Sequence, residues 1–207
     1  MTTRVPEFEV LEMGTPFLIR WKNPPDFTDD ELLEFIELND DAFQVERECD
    51  GSLLLESGVT FPTLRHETRV LAQLLPWAER DGTGEALGPT GRWVFPDGRT
   101  TRSPDALWIS SGRVATLSSE AMRHLPHLVP DFVVEVRSKG QWLRRLQAKM
   151  EEWIANDVKL GWLIDESTRT VYVYRPGQEV QVVENATSLD ASPELQGFVL
   201  DLEAIWK

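Results

Sequence analysis

The segment Pro130-Asp-Phe-Val-Val-Glu-Val-Arg-Ser138 has the aromatic and β-branched composition of a buried strand, yet Glu135 stands in its middle. A carboxylate in such a strand costs several kcal/mol unless it is paired, hydrogen-bonded or bound to a metal. Three other polar residues sit in comparably apolar surroundings. Glu67 lies between Leu64 and Leu71 on a helical stripe, Asp105 opens the strand Asp105-Ala-Leu-Trp-Ile109, and Lys149 borders the stripe of Leu143, Leu146, Met150, Trp153 and Ile154. Two or three carboxylates on neighbouring elements make an oxygen site suited to Mg²⁺. A nearby lysine can orient or help deprotonate a water and stabilise charge growing on phosphate. Arg144 and Arg145, with Lys139 upstream, give this stretch a basic character suited to a phosphodiester.

Each residue also has a plainer reading. Glu67 is equally a first-turn glutamate turning toward solvent, and Asp105 after Pro104 is ordinary turn chemistry. Lys149 is a flanking lysine whose stem lies on apolar surface. Strand alternation puts Asp131, Val133, Glu135 and Arg137 on one face, which makes Arg137 an ion-pair partner for Glu135 or Asp131. His66 points about 100° from Glu67 on the helix wheel and reads as a surface or capping group. His124-Leu-Pro-His127 is a poor zinc site, since only His66 and Cys49 remain as further typical ligands.

The elements that must position these groups follow from pattern. Residues 29–38 read as a short helix with acids at its start, and 43–56 as a hairpin turning at Asp50-Gly51. A helix runs from about Thr63 to Arg80 with Leu64, Leu71, Leu74, Leu75 and Ala78 as its apolar face, bent or shortened by Pro76. Residues 84–102 are rich in Gly and Thr and read as turns. A strand at 105–109, a short helix near 119–124, the Glu135 strand, a helix at 141–156 and strands at 160–164, 170–174 and 180–183 complete the pattern, with a final short helix within 200–206. The sum is a mixed α/β domain, a central mixed sheet flanked by helices.

Length fits one domain with an N-terminal addition: 207 residues, divided here into an extension 1–25 of unknown role and a domain 26–207. No apolar run approaches a membrane span, and the acids near the N-terminus do not suit a secretory signal. Cys49 is the single cysteine, which excludes an internal disulfide and points to a reducing, cytoplasmic setting. The eight Trp read as core. The net charge of −14 argues against simple electrostatic binding of nucleic acid, but it is unevenly spread. Residues 26–50 hold eleven acids and one base, which read as a solvated face, and the remainder is only mildly acidic.

Pro104-Asp105, Glu135-Val-Arg-Ser138, Lys149-Met-Glu-Glu-Trp153 and Gly161-Trp-Leu-Ile-Asp165, followed by Val171-Tyr-Val-Tyr-Arg-Pro-Gly177, together resemble the Uma-type restriction-endonuclease family of the PD-(D/E)XK nuclease superfamily. The resemblance extends from about Phe43 to Trp206. It implies a restriction-endonuclease-like fold and a Mg²⁺-dependent DNA endonuclease, with Mn²⁺ as a substitute and a homodimer as the expected assembly. It makes Asp105, Glu135 and the carbonyl of Val136 the metal ligands and Glu67 the helix carboxylate that completes the site. The superfamily's lysine two residues after the glutamate is Arg137 here, so Lys149 is expected to supply the amine, with Arg137, Lys139 and Arg145 toward the substrate. The competing expectation is a catalytically silent domain that keeps the fold and binds protein or nucleic acid.

Overall fold

The structure, a computed structural model, describes residues 8–12, 16–21, 28–39, 43–57 and 60–207. The chain divides into two compact units, Met1–Gly58 with Arg92–Ser103 and Ser118–Leu128, and Val59–Gly91 with Pro104–Leu117 and Val129–Lys207. In chain order the elements are β1 (Phe8–Glu12), β2 (Phe17–Trp21), α1 (Asp29–Asn39), β3 (Phe43–Arg47), β4 (Leu53–Ser57), α2 (Phe61–Asp81), β5 (Gly84–Leu87), β6 (Trp93–Val94), β7 (Thr101–Arg102), β8 (Ala106–Ser110) and α3 (Ser111–Val114). They continue with β9 (Phe132–Val136), α4 (Leu143–Ala155), β10 (Leu160–Asp165), β11 (Thr170–Tyr174), β12 (Gln181–Glu184), β13 (Ser188–Asp190), β14 (Val199–Asp201) and α5 (Leu202–Ile205). The expected helix near 119–124 is a single 3₁₀ turn, Ala121–Arg123.

The first unit is an antiparallel sheet in the order β1-β2-β4-β3-β7-β6. Strands β1 and β2 come from the segment set apart in the sequence as an extension. The acidic run is not simply a solvated face. Glu46 is buried and accepts from the Ser103 N–H at 2.8 Å, Glu48 pairs with Arg102 at 2.7 Å, and Asp29 pairs with Arg47 at 2.7 Å. Acids of this hairpin are answered by arginines of its own sheet, which pattern alone does not reveal. Asp26, Asp40 and Asp41 lie outside the described residues. His124 bonds Asp30 at 2.9 Å and Glu120 at 3.3 Å, and His127 bonds Asp29 at 2.6 Å. Hydrogen bonds to Glu120 and Asp30 hold the His124 imidazole above its ordinary pKa, and both histidines are engaged by carboxylates.

The second unit is a mixed sheet in the order β12-β11-β10-β9-β8-β5, parallel only between β9 and β10. Joining parallel neighbours requires a crossover, and α4 supplies it by packing on one face of the sheet. The opposite face carries the larger aromatic core. Phe132 meets Trp162 edge-on with ring centroids 4.9 Å apart, while Trp77 lies 5.4 Å from Phe198 and 5.8 Å from Trp108. Such pairs add about 0.5–1.5 kcal/mol each beyond the area they bury. Among the tryptophans with described side chains, Trp142 stands apart at 79% exposure.

Two sequence expectations are corrected. The run 84–102, read as turns, holds β5, β6 and β7, because short strands between glycines lack a period long enough to detect. Pro76 does not shorten α2, which runs on to Asp81 and closes on Gly82 in the left-handed region. The final short helix expected within 200–206 is α5, preceded by strand β14. Gly84 sits where a side chain cannot: a Cβ there would collide with the Ile109 carbonyl oxygen and come within 2.6 Å of the Trp108 ring. Gly84→Ala is therefore expected to destabilise the protein by about 2 kcal/mol, measured by urea denaturation; an unchanged midpoint would contradict the packing.

Candidate active site

Strand β9 is the centre of the site. All five of its residues are buried, with Phe132, Val134 and Val136 in the aromatic core and Glu135 on the alternate face. Glu135 is 3% exposed and opposes Leu163 of the parallel neighbour. The carboxylate does not go unanswered. Lys149 Nζ lies 2.9 Å from Glu135 Oε1, and Trp153 Nε1 donates to the same oxygen at 3.2 Å. Lys149 and Trp153 are four residues apart on α4, hence on one helical face looking down on the strand. The lysine expected as a snorkelling flank is instead the counter-ion of the buried glutamate.

Asp105, immediately before β8, clasps the backbone on both sides of Glu135. Its N–H donates to the Val134 carbonyl at 3.0 Å, and its Oδ2 accepts from the Val136 N–H at 2.6 Å. That fixes the Asp105 carboxylate beside the strand position that carries Glu135. The turn-residue reading is thus too weak, because the side chain bonds a different strand.

Glu67 is buried on α2, as the stripe position suggested. The stripe itself is turned from the expected one. Thr63, His66, Glu67, Val70, Leu74, Trp77 and Ala78 face inward, while Leu64 is 52% and Leu75 38% exposed. Counting leucines rotated the predicted face, because the inward side at this end of the helix is polar. His66 is accordingly a buried residue and not a surface or capping group. Burial pushes its imidazole below the ordinary value, and Arg65 and Arg69 push the same way against the pull of Glu166.

The charged residues of the 131–138 strand go to three separate partners. Asp131 pairs with Arg113 at 2.8 Å, Glu135 with Lys149, and Arg137 Nη1 with Asp165 at 2.6 Å. Arg137 Nε also donates to the Gln141 carbonyl at 3.1 Å. Neither carboxylate named in the sequence reading is the partner of Arg137. Asp165, which sequence reasoning missed, ends β10, and its partnership was foreshadowed only by its buried strand context. The turn after β9 is held by Ser138 Oγ, 2.9 Å from Thr63 Oγ1 on α2. Lys139 is exposed on that turn, and Arg145 lies half-buried on the first turns of α4.

Among the described residues, no group of three His, Cys, Asp or Glu side chains lies close enough to hold a metal ion. Asp105 and Glu135 are brought together on adjoining strands; Glu67 does not join them in a three-carboxylate cluster. Mg²⁺ is a cation that takes one or two protein carboxylates and completes its shell with water and substrate phosphates, so the Asp105 and Glu135 oxygens are a donor set it would accept.

Helix α4 can approach this strand closely because Gly161 of β10 lies beneath it. A Cβ at Gly161 would collide with the buried Met150 Cε and stand 3.6 Å from Val133 Cγ2. Gly161→Ala is expected to lift α4, with a loss of about 1–2 kcal/mol in stability and weaker seating of Lys149 on Glu135. Thermal denaturation checks the first effect, and a Lys149 ammonium NMR signal unchanged from the parent would refute the second.

A mixed sheet with the parallel crossover β9-α4-β10 in its interior, flanked by helices, makes this a mixed α/β fold. The fold is shared with a solved structure from Anabaena variabilis ATCC 29413, described as a putative nuclease belonging to DUF820, at a TM-score of 0.69 and 18% identity over 86% of this chain and 97% of that one. The chain belongs to the Uma2 family, described as "Putative restriction endonuclease", which matches residues 30–203. No curated protein matches the chain significantly. No described helix is long and apolar enough to cross a membrane.

Proposed function

We propose that this protein is a divalent-cation-dependent DNA endonuclease that hydrolyses phosphodiester bonds. The reading is carried by one observation: the ammonium of Lys149 placed 2.9 Å from the buried Glu135 carboxylate, beside which Asp105 is fastened. Family membership supports a nucleic-acid substrate. In this reading Asp105, Glu135 and the Val136 carbonyl hold Mg²⁺, or Mn²⁺ in its place, and the bound cation supplies Lewis-acid stabilisation of phosphate charge. The protein's own groups do the rest. Lys149, held at the edge of the site by Glu135, donates to a phosphate oxygen or orients the attacking water. Glu67 contributes negative charge from α2. Lys139 and Arg145 attract the strand, and Arg137 braces the turn between β9 and α4 through its bond to the Gln141 carbonyl. A homodimer, cutting one strand with each copy, is the assembly that fits double-strand cleavage; a cytoplasmic location suits a lone unpaired cysteine.

The engagement of Arg137 with Asp165, at the position where the superfamily places lysine, favours the second reading of a silent nucleic-acid- or protein-binding domain. Two measurements separate the readings. Calorimetric titration with Mg²⁺ or Mn²⁺ is expected to give binding to the parent and none to Glu135→Ala; equal heats from both would remove the metal site. Supercoiled plasmid with Mn²⁺ is expected to be nicked or linearised by the parent and left intact in EDTA. Metal binding without cleavage would establish the silent domain.

A further inference from the structure

Helix α2 carries a group of nitrogen donors, two of them cationic, that the proposed chemistry does not use. Arg65 and Arg69 are one turn apart, His66 lies one turn before Arg69, and both arginines act electrostatically on its imidazole. Arg65 Nε, His66 Nε2 and Arg69 Nη1 are buried, and none has a hydrogen-bond partner among the described residues. His66 as a whole is 3% exposed. Buried polar side-chain atoms are nearly always satisfied, and those that are not call for an explanation, commonly a missing water or ion. One orphan would be unremarkable. Three within a single helical turn, two of them guanidinium nitrogens, describe a place built for something absent from the chain itself.

The chemistry of that occupant is constrained. Guanidinium groups cannot shed their charge, so they call for an anion and not only for a lone pair. Their N–H fork matches the oxygens of carboxylate and phosphate, and an imidazole N–H adds a third donor. The Glu166 carboxylate attracts His66 but forms no ion pair with Arg65 or Arg69 among the described residues. The protein therefore leaves the arginines for a ligand.

We infer that Arg65, His66 and Arg69 form an oxyanion subsite that takes a phosphate group, namely a backbone phosphate of the nucleic-acid strand flanking the one to be cut. The source of the phosphate rests on the nuclease reading; the oxyanion chemistry does not. The subsite fixes the strand's register on the protein and reads no base, as phosphate contacts do.

The test uses the full chain and the double variant Arg65→Met/Arg69→Met, which keeps side-chain length and removes the donors. In EDTA, where no cleavage occurs, anisotropy of a short fluorescein-labelled DNA duplex is followed against salt. The double variant is expected to bind at least about tenfold more weakly, with the slope of log affinity against log salt shallower by about two. Inorganic phosphate is expected to raise the melting temperature of the parent and not of the variant. In phosphate-free buffer the variant is expected to be as stable as the parent, since it removes unanswered donors and no bonds. A variant that unfolds in that buffer, or one with the parent's affinity and salt slope and the same response to phosphate, would overturn the subsite. If the parent binds no duplex while phosphate stabilises it alone, the subsite stands as one for a free phosphate and the nuclease reading fails.

Discussion

Lys149→Met is expected to lower plasmid cleavage at least about a hundredfold while the protein remains folded, because electrostatic or proton-transfer help from one positioned group is typically worth 10²–10⁴ in rate. Methionine retains the stem that covers apolar surface and removes only the ammonium. The effect on stability is of the opposite kind to a simple lost contact. Lys149 is 16% and Glu135 3% exposed at the side chain, so the substitution strips the counter-ion from a carboxylate that water can barely reach. Breaking such a pair costs about 3 kcal/mol, much of it the penalty of a buried charge without its partner. That distinction is measurable. Adding Glu135→Gln to Lys149→Met removes the stranded charge, and Trp153 Nε1 can still donate to the amide oxygen. The double variant is expected to recover most of the lost stability and none of the cleavage. If Lys149→Met cuts as fast as the parent, the lysine is a structural counter-ion and the amine of the reaction lies elsewhere. Should the double variant be less stable than either single one, the pair is not a charge-compensating unit.

The residues of this site differ in how far the sequence disclosed them. Glu135 was conspicuous because a five-residue apolar strand has a strict alternation, and one charge in it violates both burial and composition. Lys149 was legible as a position on a helical edge, since a thirteen-residue helix keeps its period, but its direction depended on a crossover that places α4 over β9. Asp105 was ambiguous for a local reason. A residue after proline at a strand start obeys turn chemistry whether or not its side chain bonds a neighbouring strand, and only the β8–β9 pairing decides. His66 was misjudged because helix-face assignment rested on leucine positions, whereas the buried face of α2 begins with Thr63, His66 and Glu67. Hydropathy cannot assign an inward face made of polar groups, which is the condition of a functional site. The same limit hid the arginine-answered acids of β3: Glu46 and Arg102 lie far apart in sequence and meet only through sheet pairing.

Arg137→Met is expected to destabilise the protein about as much as Lys149→Met, with a loss of about 3 kcal/mol. Asp165 is the reason. Its side chain is 2% exposed, it accepts from Arg137 at 2.6 Å, and its other oxygen accepts from the Ser167 N–H and hydroxyl. Burial alone would push this carboxyl upward. The hydrogen bonds from Ser167 and Arg137, with the arginine's charge, outweigh it and hold Asp165 below the ordinary aspartate value of 3.8. A carboxyl whose folded pKa is depressed binds fewer protons in the folded chain than in the unfolded one. Its contribution is therefore complete above about pH 4 and is lost as pH falls through the folded value. Urea denaturation of the parent from pH 7 down to pH 2.5 is expected to show this acid loss. Arg137→Met should lose stability at neutral pH and show a smaller further loss on acidification, since protonation relieves its stranded carboxylate. Arg137→Lys is expected to fall between the two, holding the charge but not the bond to the Gln141 carbonyl in the same geometry. A parent-like acid profile in Arg137→Met would show that the arginine does not set the titration of Asp165. The stabilising role of Arg137 would then rest on its bond to the Gln141 carbonyl alone.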